Sequence, residues 1–222
     1  MNRAIQVAIE AARKKPFATA VDWPGWSRSG KTPALALEAL AAYATRYATV
    51  AAEAGEPFPP GPLAVDDFRV VEEAAGGSGT EFGVPSRITD ADRRRTTATE
   101  GDRLRRLVAA AWTTFDNVAA TAPAELRKGP RGGGRDRDKM IGHVVEADGA
   151  YAREIGLRIN APAADDRAAV EAMRAAVLEA IGAPSDGSPL AGRKWTARYA
   201  AIRIAWHALD HAWEMEDRSE PG

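Results

Sequence analysis

The sequence predicts a small α+β unit followed by an all-α, up-down four-helix bundle. Up to about residue 90, short runs of alternating apolar and polar residues are separated by Gly and Pro, which is typical of strands and turns. Beyond that point, apolar residues recur every three or four positions over long segments joined mostly by short loops, which is typical of antiparallel helices. We therefore place two domains at 1–90 and 91–222.

The N-terminal domain begins with two strands that are expected to form a hairpin. Ile5, Val7 and Ile9 alternate with polar residues, and a second apolar run follows a charged turn. A turn-rich connection then leads to a helix, which Thr32 caps and in which Pro33 takes the first position. The predicted elements are strands at 5–11, 17–21, 68–74 and 81–84 and a helix at 33–54.

Four long helices are predicted in the C-terminal domain, because their apolar residues have helical spacing and helix-breaking residues stand between them. Pro123 ends the first helix, Pro162 follows the second, and Gly182 ends the third. The predicted helices span about 94–121, 136–159, 165–181 and 191–217.

Residues 25–32 match the phosphate-binding pattern G-x-x-x-x-G-K-[ST], with Lys31 and Thr32 at its end. A functional P-loop needs a parallel sheet built from repeated strand–helix–strand units. The N-terminal domain has one convincing helix, so it cannot supply those units, and Pro33 removes a backbone donor beside the phosphate position. We therefore expect no ATP or GTP binding at this segment.

The same segment resembles the HicB-like antitoxin domain, and the resemblance covers about residues 4–75. It implies a strand hairpin, a Pro-Gly turn, a helix that begins at Gly-x-Thr and a further strand. The DNA-binding tail of such antitoxins is not evident here, so the resemblance implies a fold more than an antitoxin role. The residues that carry it are Asp22, Pro24, Gly25, Gly30, Thr32, Ala36 and Leu37.

The three histidines of the chain all fall on predicted helices in its last 80 residues. His207 and His211 lie one turn apart on one helix face, a spacing that can chelate a transition metal. His143 lies on the second helix of the bundle and becomes a third ligand if that helix neighbours the fourth. Three imidazoles leave coordination positions open, which is typical of a catalytic metal site. The alternative is that each histidine is an ordinary core or surface residue.

The histidine pattern within this run of helices resembles the DinB-like, or YfiT-like, superfamily of metal-binding four-helix bundles. The resemblance covers about residues 93–222. It implies a divalent metal held by His143, His207 and His211, with zinc expected first and nickel, manganese or iron as alternatives. It further implies a small-molecule substrate, a low-molecular-weight thiol as cofactor, and an S-transferase or hydrolase reaction.

Other charged residues near the histidines are candidates for supporting roles. Glu146, Asp148 or Asp210 are expected to orient a histidine, and Glu146 is also an alternative metal ligand. Arg131 and Arg135 belong to a basic loop before the second helix, whose N-terminus favours anions. We expect this loop to bind a substrate carboxylate or phosphate, or else to be an ordinary solvated loop.

The last helix has two apolar stripes on nearly opposite sides. We expect the aromatic stripe to fill the bundle core and the histidine stripe to face a cleft between the domains or between two copies of a homodimer. The aromatic stripe comprises Trp195, Tyr199, Ile202, Trp206, Leu209 and Trp213, and the histidine stripe Ala200, Ile204, His207, His211 and Met215.

Composition excludes several classes of protein. The 222 residues carry 30 Lys and Arg against 31 Asp and Glu, so we expect no nucleic-acid partner. No apolar run reaches the length of a membrane span, and the absence of Cys excludes disulfides and thiolate metal sites and fits a cytoplasmic protein. The alternative to an enzyme is a non-enzymatic regulatory or partner-binding module.

Overall fold

The computed structural model describes residues 4–128 and 134–219. These residues form a four-stranded sheet followed by a predominantly helical part, so the mixed fold class is confirmed. The strands are β1 (Ile5–Ala11), β2 (Phe17–Ala20), β3 (Ser27–Ser29) and β4 (Phe68–Ala75). The α-helices are α1 (Pro33–Ala42), α2 (Ala44–Glu53), α3 (Ser78–Phe82), α4 (Ala98–Thr121), α5 (Arg137–Glu154), α6 (Arg167–Gly182) and α7 (Ala197–Ser219).

The sheet has the strand order β3-β2-β1-β4. β1 and β2 form the predicted antiparallel hairpin, with Val7 opposite Ala20, and β4 lies parallel to β1 on its other side. The third strand, β3, was not predicted, because a run of Ser-Arg-Ser shows no alternation of apolar and polar residues. It pairs with β2 and forms the opposite edge of the sheet.

The segment that matches the phosphate-binding pattern is built into this sheet. Its centre is β3, and the Gly30 N–H donates to the Pro16 carbonyl at 3.1 Å. Thr32 accepts a hydrogen bond from the Leu35 N–H at 3.2 Å and so caps α1 as predicted. Backbone donors that a P-loop would point at phosphate are therefore used for strand pairing, and the sheet is not the parallel one that the motif requires.

The prediction of one continuous helix at 33–54 is wrong, because the helix breaks at Tyr43, where φ is −89° and ψ is 0°. The ring of Tyr43 packs against Trp213 of α7 at 5.1 Å between centroids and lies 3.9 Å from the Arg28 guanidinium carbon. These contacts connect the break to residues far away in sequence, so local propensity gave no sign of it.

The strand predicted at 81–84 is also wrong, because this stretch begins inside the short helix α3, which Gly83 ends at a φ of 96°. Polar side chains hold α3 to the end of β1. Thr80 donates to the buried carboxylate of Glu10 at 2.8 Å, and Glu81 accepts the N–H of Arg13 at 2.7 Å. These hydrogen bonds take the place of a strand ladder.

The long helices α4–α7 have the predicted order, with ends that differ by several residues. Thr97 caps α4 together with Glu100. α7 packs against α4, α5 and α6, and α6 also packs against α4 and α5. Buried apolar residues on both sides of residue 90 belong to one continuous core, in which Ile9 of β1 and Leu209 of α7 are both members. In the two described stretches, none of the helices is both long enough and apolar enough to span a bilayer.

The predicted orientation of α7 is reversed in the structure. Its aromatic stripe meets the N-terminal part, since Trp206 packs against Phe17 of β2 at 6.0 Å and Trp213 against Tyr43. Gly25 passes so close to α7 that a Cβ atom there would lie 2.7 Å from a Leu209 methyl group.

The sheet and α1 provide a broad apolar face, which suits the larger aromatic stripe, and the histidine stripe faces α5. Both stripes are thus covered within one chain. The apolar stripes of α7 therefore need no second copy of the chain to cover them, and they give no reason to expect a homodimer.

Candidate metal centre

The three histidines come together where α5 crosses α7. One potential ligand nitrogen from each of His143, His207 and His211 lies within 4.8 Å of the others. The Nε2 atoms of His143 and His207 are 3.3 Å apart. Two imidazole nitrogens bound to one tetrahedral zinc at about 2.0–2.1 Å lie roughly 3.3 Å from each other. The first pair therefore already has the spacing of ligands that share a metal.

Helix geometry explains how the cluster is built. His207 and His211 are four residues apart, so their rings lie on one face of α7, edge to face, with centroids 4.7 Å apart. Buried Met140 and Val144 anchor α5, and His143 beside them reaches both rings, at 5.0 Å from each centroid. Core packing of α5 thus positions the third histidine.

Burial disfavours the charged form of two of the three rings. His207 is only 6% exposed, and burial lowers its pKa well below the usual value, with further lowering from the nearby charges of His211 and Arg203. Burial also lowers the pKa of His143, as does the charge of Arg135. A neutral imidazole has a free lone pair, so these two rings are electron-pair donors near neutral pH.

A carboxylate from the next turn of α7 orients His211. Oε2 of Glu214 lies 3.0 Å from Nδ1 of His211, and because a carboxylate only accepts, Nδ1 carries the proton and Nε2 is the ring nitrogen that can bind a metal. The hydrogen bond to His211 lowers the pKa of Glu214, and Arg218 donates to its other oxygen at 2.8 Å. Glu214 therefore fixes both the orientation and the tautomer of His211.

Glu214 was missed in the sequence, although its position three residues after His211 was a usable signal. The residues predicted for this role lie elsewhere. Asp148 accepts from Arg174 at 3.4 Å, Asp210 pairs with Arg28 at 3.0 Å, and Glu146 is exposed on α5.

Of the two arginines predicted to bind an anion, Arg131 lies outside the described residues. Arg135 is exposed and stands two residues before α5 begins. The N-cap of α5 is Asp136, whose carboxylate binds Lys128 and the Leu126 N–H. The N-terminus of α5 thus already has an acidic group beside it.

An open cleft of about 300 Å³ lies next to the histidine cluster. Glu214, which contacts His211, is one of the residues that line it. Arg28 and Tyr43 from the N-terminal part form one wall, and Asp210 and Trp213 of α7 contribute to the other. The cleft places solvent-accessible space next to the carboxylate that orients His211.

Comparisons of the chain with protein-family models, with curated proteins and with solved structures found no match.

Proposed function

We propose that this chain is a metal-dependent enzyme of the DinB-like kind that performs thiol-dependent S-transfer or hydrolysis on a small molecule. The convergence of His143, His207 and His211 within 4.8 Å is the observation that carries the proposal. In this proposal α4–α7 are the DinB-like four-helix bundle, which the mutual packing of these helices supports.

The donor set suits a divalent transition metal. Three imidazoles are favourable for zinc, and nickel, manganese or iron are alternatives because imidazole selects weakly among them. The uncharged state of His143 and His207 favours binding. A metal with open positions supplies Lewis acidity, which lowers the pKa of a thiol or a water and polarises a substrate.

The residues of the chain contribute orientation and exclusion of water. α7 holds two rings in one register, and Glu214 keeps the proton of His211 on Nδ1. The ring of Tyr151 stands edge-on against His207, with 5.6 Å between centroids, and shields it from solvent. Because these positions are set by packed helices, the imidazoles need little rearrangement to bind.

A regulatory or partner-binding module remains the second candidate, and the edge strand β4 favours it. β4 forms one edge of the sheet and exposes Val70 and Val71, and such an edge can pair with a strand of another protein. The hairpin β1-β2, the helix α1 and the later strand β4 follow the order that the HicB-like resemblance implies, to which the structure adds β3 and α2. Partner capture without turnover of thiol adducts would favour this candidate over the enzyme.

Metal analysis of untagged protein tests the proposal. We expect about one divalent metal per wild-type chain and nearly none in the double variant His207→Ala/His211→Ala, because two of three ligands are lost. Asp210→Asn is the matched control, since it changes a polar side chain on the same helix next to His211 and should retain the metal. Equal metal in wild type and the double variant would refute the site. Turnover of thiol adducts by the loaded wild type, lost in the double variant, would establish the activity.

A further inference from the structure

Arg203 is a buried cation one turn before His207 on α7, and the described residues offer it no carboxylate partner. In the described part of the chain, three arginines are less than a tenth exposed: Arg174 at 7%, Arg198 at 7% and Arg203 at 8%. Arg174 pairs with Asp116 at 2.9 Å and Arg198 with Glu100 at 2.7 Å. No such ion pair or hydrogen bond holds Arg203 among the described residues, and its Nη1 is buried and unsatisfied.

Aromatic rings hold the Arg203 guanidinium in place. Its central carbon lies 5.0 Å from the ring centroid of Tyr151 and 4.7 Å from that of Trp206. Tyr151 also packs against His207, so one ring connects the guanidinium to the histidine cluster. Four residues of α7 separate Arg203 from His207, about 6 Å along the helix axis.

Three buried nitrogens without a hydrogen-bond partner among the described residues lie on this one turn of α7. The indole Nε1 of Trp206 is buried without a hydrogen-bond partner in the described residues, as are Nη1 of Arg203 and Nδ1 of His207. The first two atoms are obligate donors. Buried donors are nearly always satisfied in folded proteins, and an unpaired buried charge is more costly still. A ligand that carries negative charge and accepts hydrogen bonds would satisfy them.

We propose that Arg203, Trp206 and Tyr151 form a binding site for the carboxylate of a small-molecule substrate, beside the histidine cluster. The assignment rests on the proposed function, because it places the reacting part of that substrate at the histidines. A carboxylate is planar and has two acceptor oxygens, which suits a guanidinium fork together with an indole N–H.

The apolar body of the substrate would lie against the rings at the protein surface. Tyr151 and Trp195 are both partly exposed and pack together at 5.2 Å between centroids. Tyr151 also contacts the guanidinium, so in this proposal the partly exposed pair of rings is the side from which the substrate enters. An aromatic carboxylic acid has the required combination of an apolar body and one anionic end.

Calorimetric titration with benzoate, and with benzamide as its neutral analogue, tests the assignment on the full chain. We expect the wild type to bind benzoate at least about tenfold more tightly than benzamide, because the charged hydrogen bonds are lost with the amide. Arg203→Met should abolish this preference. Arg198→Met is the matched control, since it removes a buried arginine from the same helix and should keep the preference. Equal binding of both compounds by the wild type, or unchanged benzoate affinity in Arg203→Met, would overturn the assignment.

Two further measurements separate this site from the metal and from a purely structural arginine. Arg203→Met should keep the metal content of the wild type, and the preference for benzoate should persist in chelator-treated wild type, so either proposal can fail alone. The thermal midpoint of ligand-free Arg203→Met should be unchanged or higher, because an uncompensated charge is removed. A fall as large as that of Arg174→Met would identify Arg203 as a structural residue and overturn the assignment.

Arg203→Lys keeps the charge and loses the fork of the guanidinium. This variant should fold and bind benzoate with intermediate affinity, and binding at wild-type strength would contradict recognition by the fork.

Discussion

Two buried arginines sit against tryptophan rings in this molecule, and their surroundings differ. Arg174 of α6 lies 5.0 Å from the ring of Trp112 and is held by Asp148 and Asp116. Arg203 of α7 lies 4.7 Å from the ring of Trp206 and contacts no carboxylate among the residues that the structure describes. The first arrangement has two carboxylates of the chain as partners of the guanidinium and ties α4, α5 and α6 together. The second is incomplete, and it lies beside the histidines, where a ligand would complete it.

The comparison shows how a stabilising polar cluster can be distinguished from a ligand-binding one. Burial and aromatic contacts are alike in the two regions, and charge compensation is what differs. Around Arg174, the side chains of Asp116 and Asp148 both contact the guanidinium. Around His207 the described residues present imidazole nitrogens and the Arg203 cation, and the carboxylate that contacts a ring, Glu214, is used by His211 and Arg218.

The largest expected difference between the two arginines is in how much each stabilises the folded protein. Arg174→Met should lower the free energy of unfolding by about 3 kcal/mol, because it leaves the carboxylate of Asp148 buried without its partner. Arg203→Met should change it by less than about 1 kcal/mol, since the cation–π contacts that it loses are offset by removal of an unpaired charge. Urea denaturation of both variants at one pH provides the measurement. Similar losses in the two would remove the distinction between the regions.

A smaller effect is expected when the orientation of His211 is disturbed. Glu214→Gln should weaken metal binding by about tenfold to a hundredfold, because the amide does not hold the proton of His211 on Nδ1 as firmly. Competition against a chromogenic chelator measures the affinity. Asp210→Asn, which alters the neighbouring pair with Arg28, should bind metal as the wild type does. An affinity in Glu214→Gln equal to that of this control would show that the carboxylate has no such role.

The stability of the protein should depend on pH because the buried carboxyl group of Asp148 titrates differently in the folded and unfolded chains. Burial raises the pKa of Asp148 to about 7, and the charge of Arg174 opposes that rise. An unfolded Asp titrates near pH 4, so between about pH 4 and pH 7 the folded chain keeps a proton that the unfolded chain has lost. This contribution to stability is present at acidic pH and is lost as the pH rises to 7, by at most about 1.4 kcal/mol per pH unit.

Asp148→Asn should remove that slope, because an amide does not titrate. Denaturation curves of both proteins between pH 4 and pH 8 test this expectation. Parallel stability profiles would mean that Asp148 titrates alike in the folded and unfolded chains.

Much of the fold was predictable where local rules decide it. Alternation along β1 and the turn after it predicted the hairpin, and helical spacing predicted α4–α7. Thr32 and Pro33 marked the start of α1 because a cap acts within one turn. The break at Tyr43 and the helix at 78–82 were not predictable, since contacts with Trp213 and Glu10 accompany them and both residues are distant in sequence.

In the candidate site, too, the features set by local sequence were predictable and those set by distant contacts were not. The spacing of His207 and His211 fixes their shared face in any helix, so that pair was visible in the sequence. The stripe orientation of α7 was not, because it depends on which partner offers the broader apolar face. The missing partner of Arg203 is likewise a property of the folded chain, since 31 acidic residues were available in the sequence.

The central claim is that one divalent metal is held by the three histidines. X-ray absorption spectroscopy of untagged protein loaded with one equivalent of zinc tests it most directly. We expect three imidazole nitrogens at about 2.0–2.1 Å with at least one further oxygen ligand, and loss of the imidazole signal in the double variant His207→Ala/His211→Ala. A spectrum without imidazole scattering, or one that is the same in the double variant, would contradict the account.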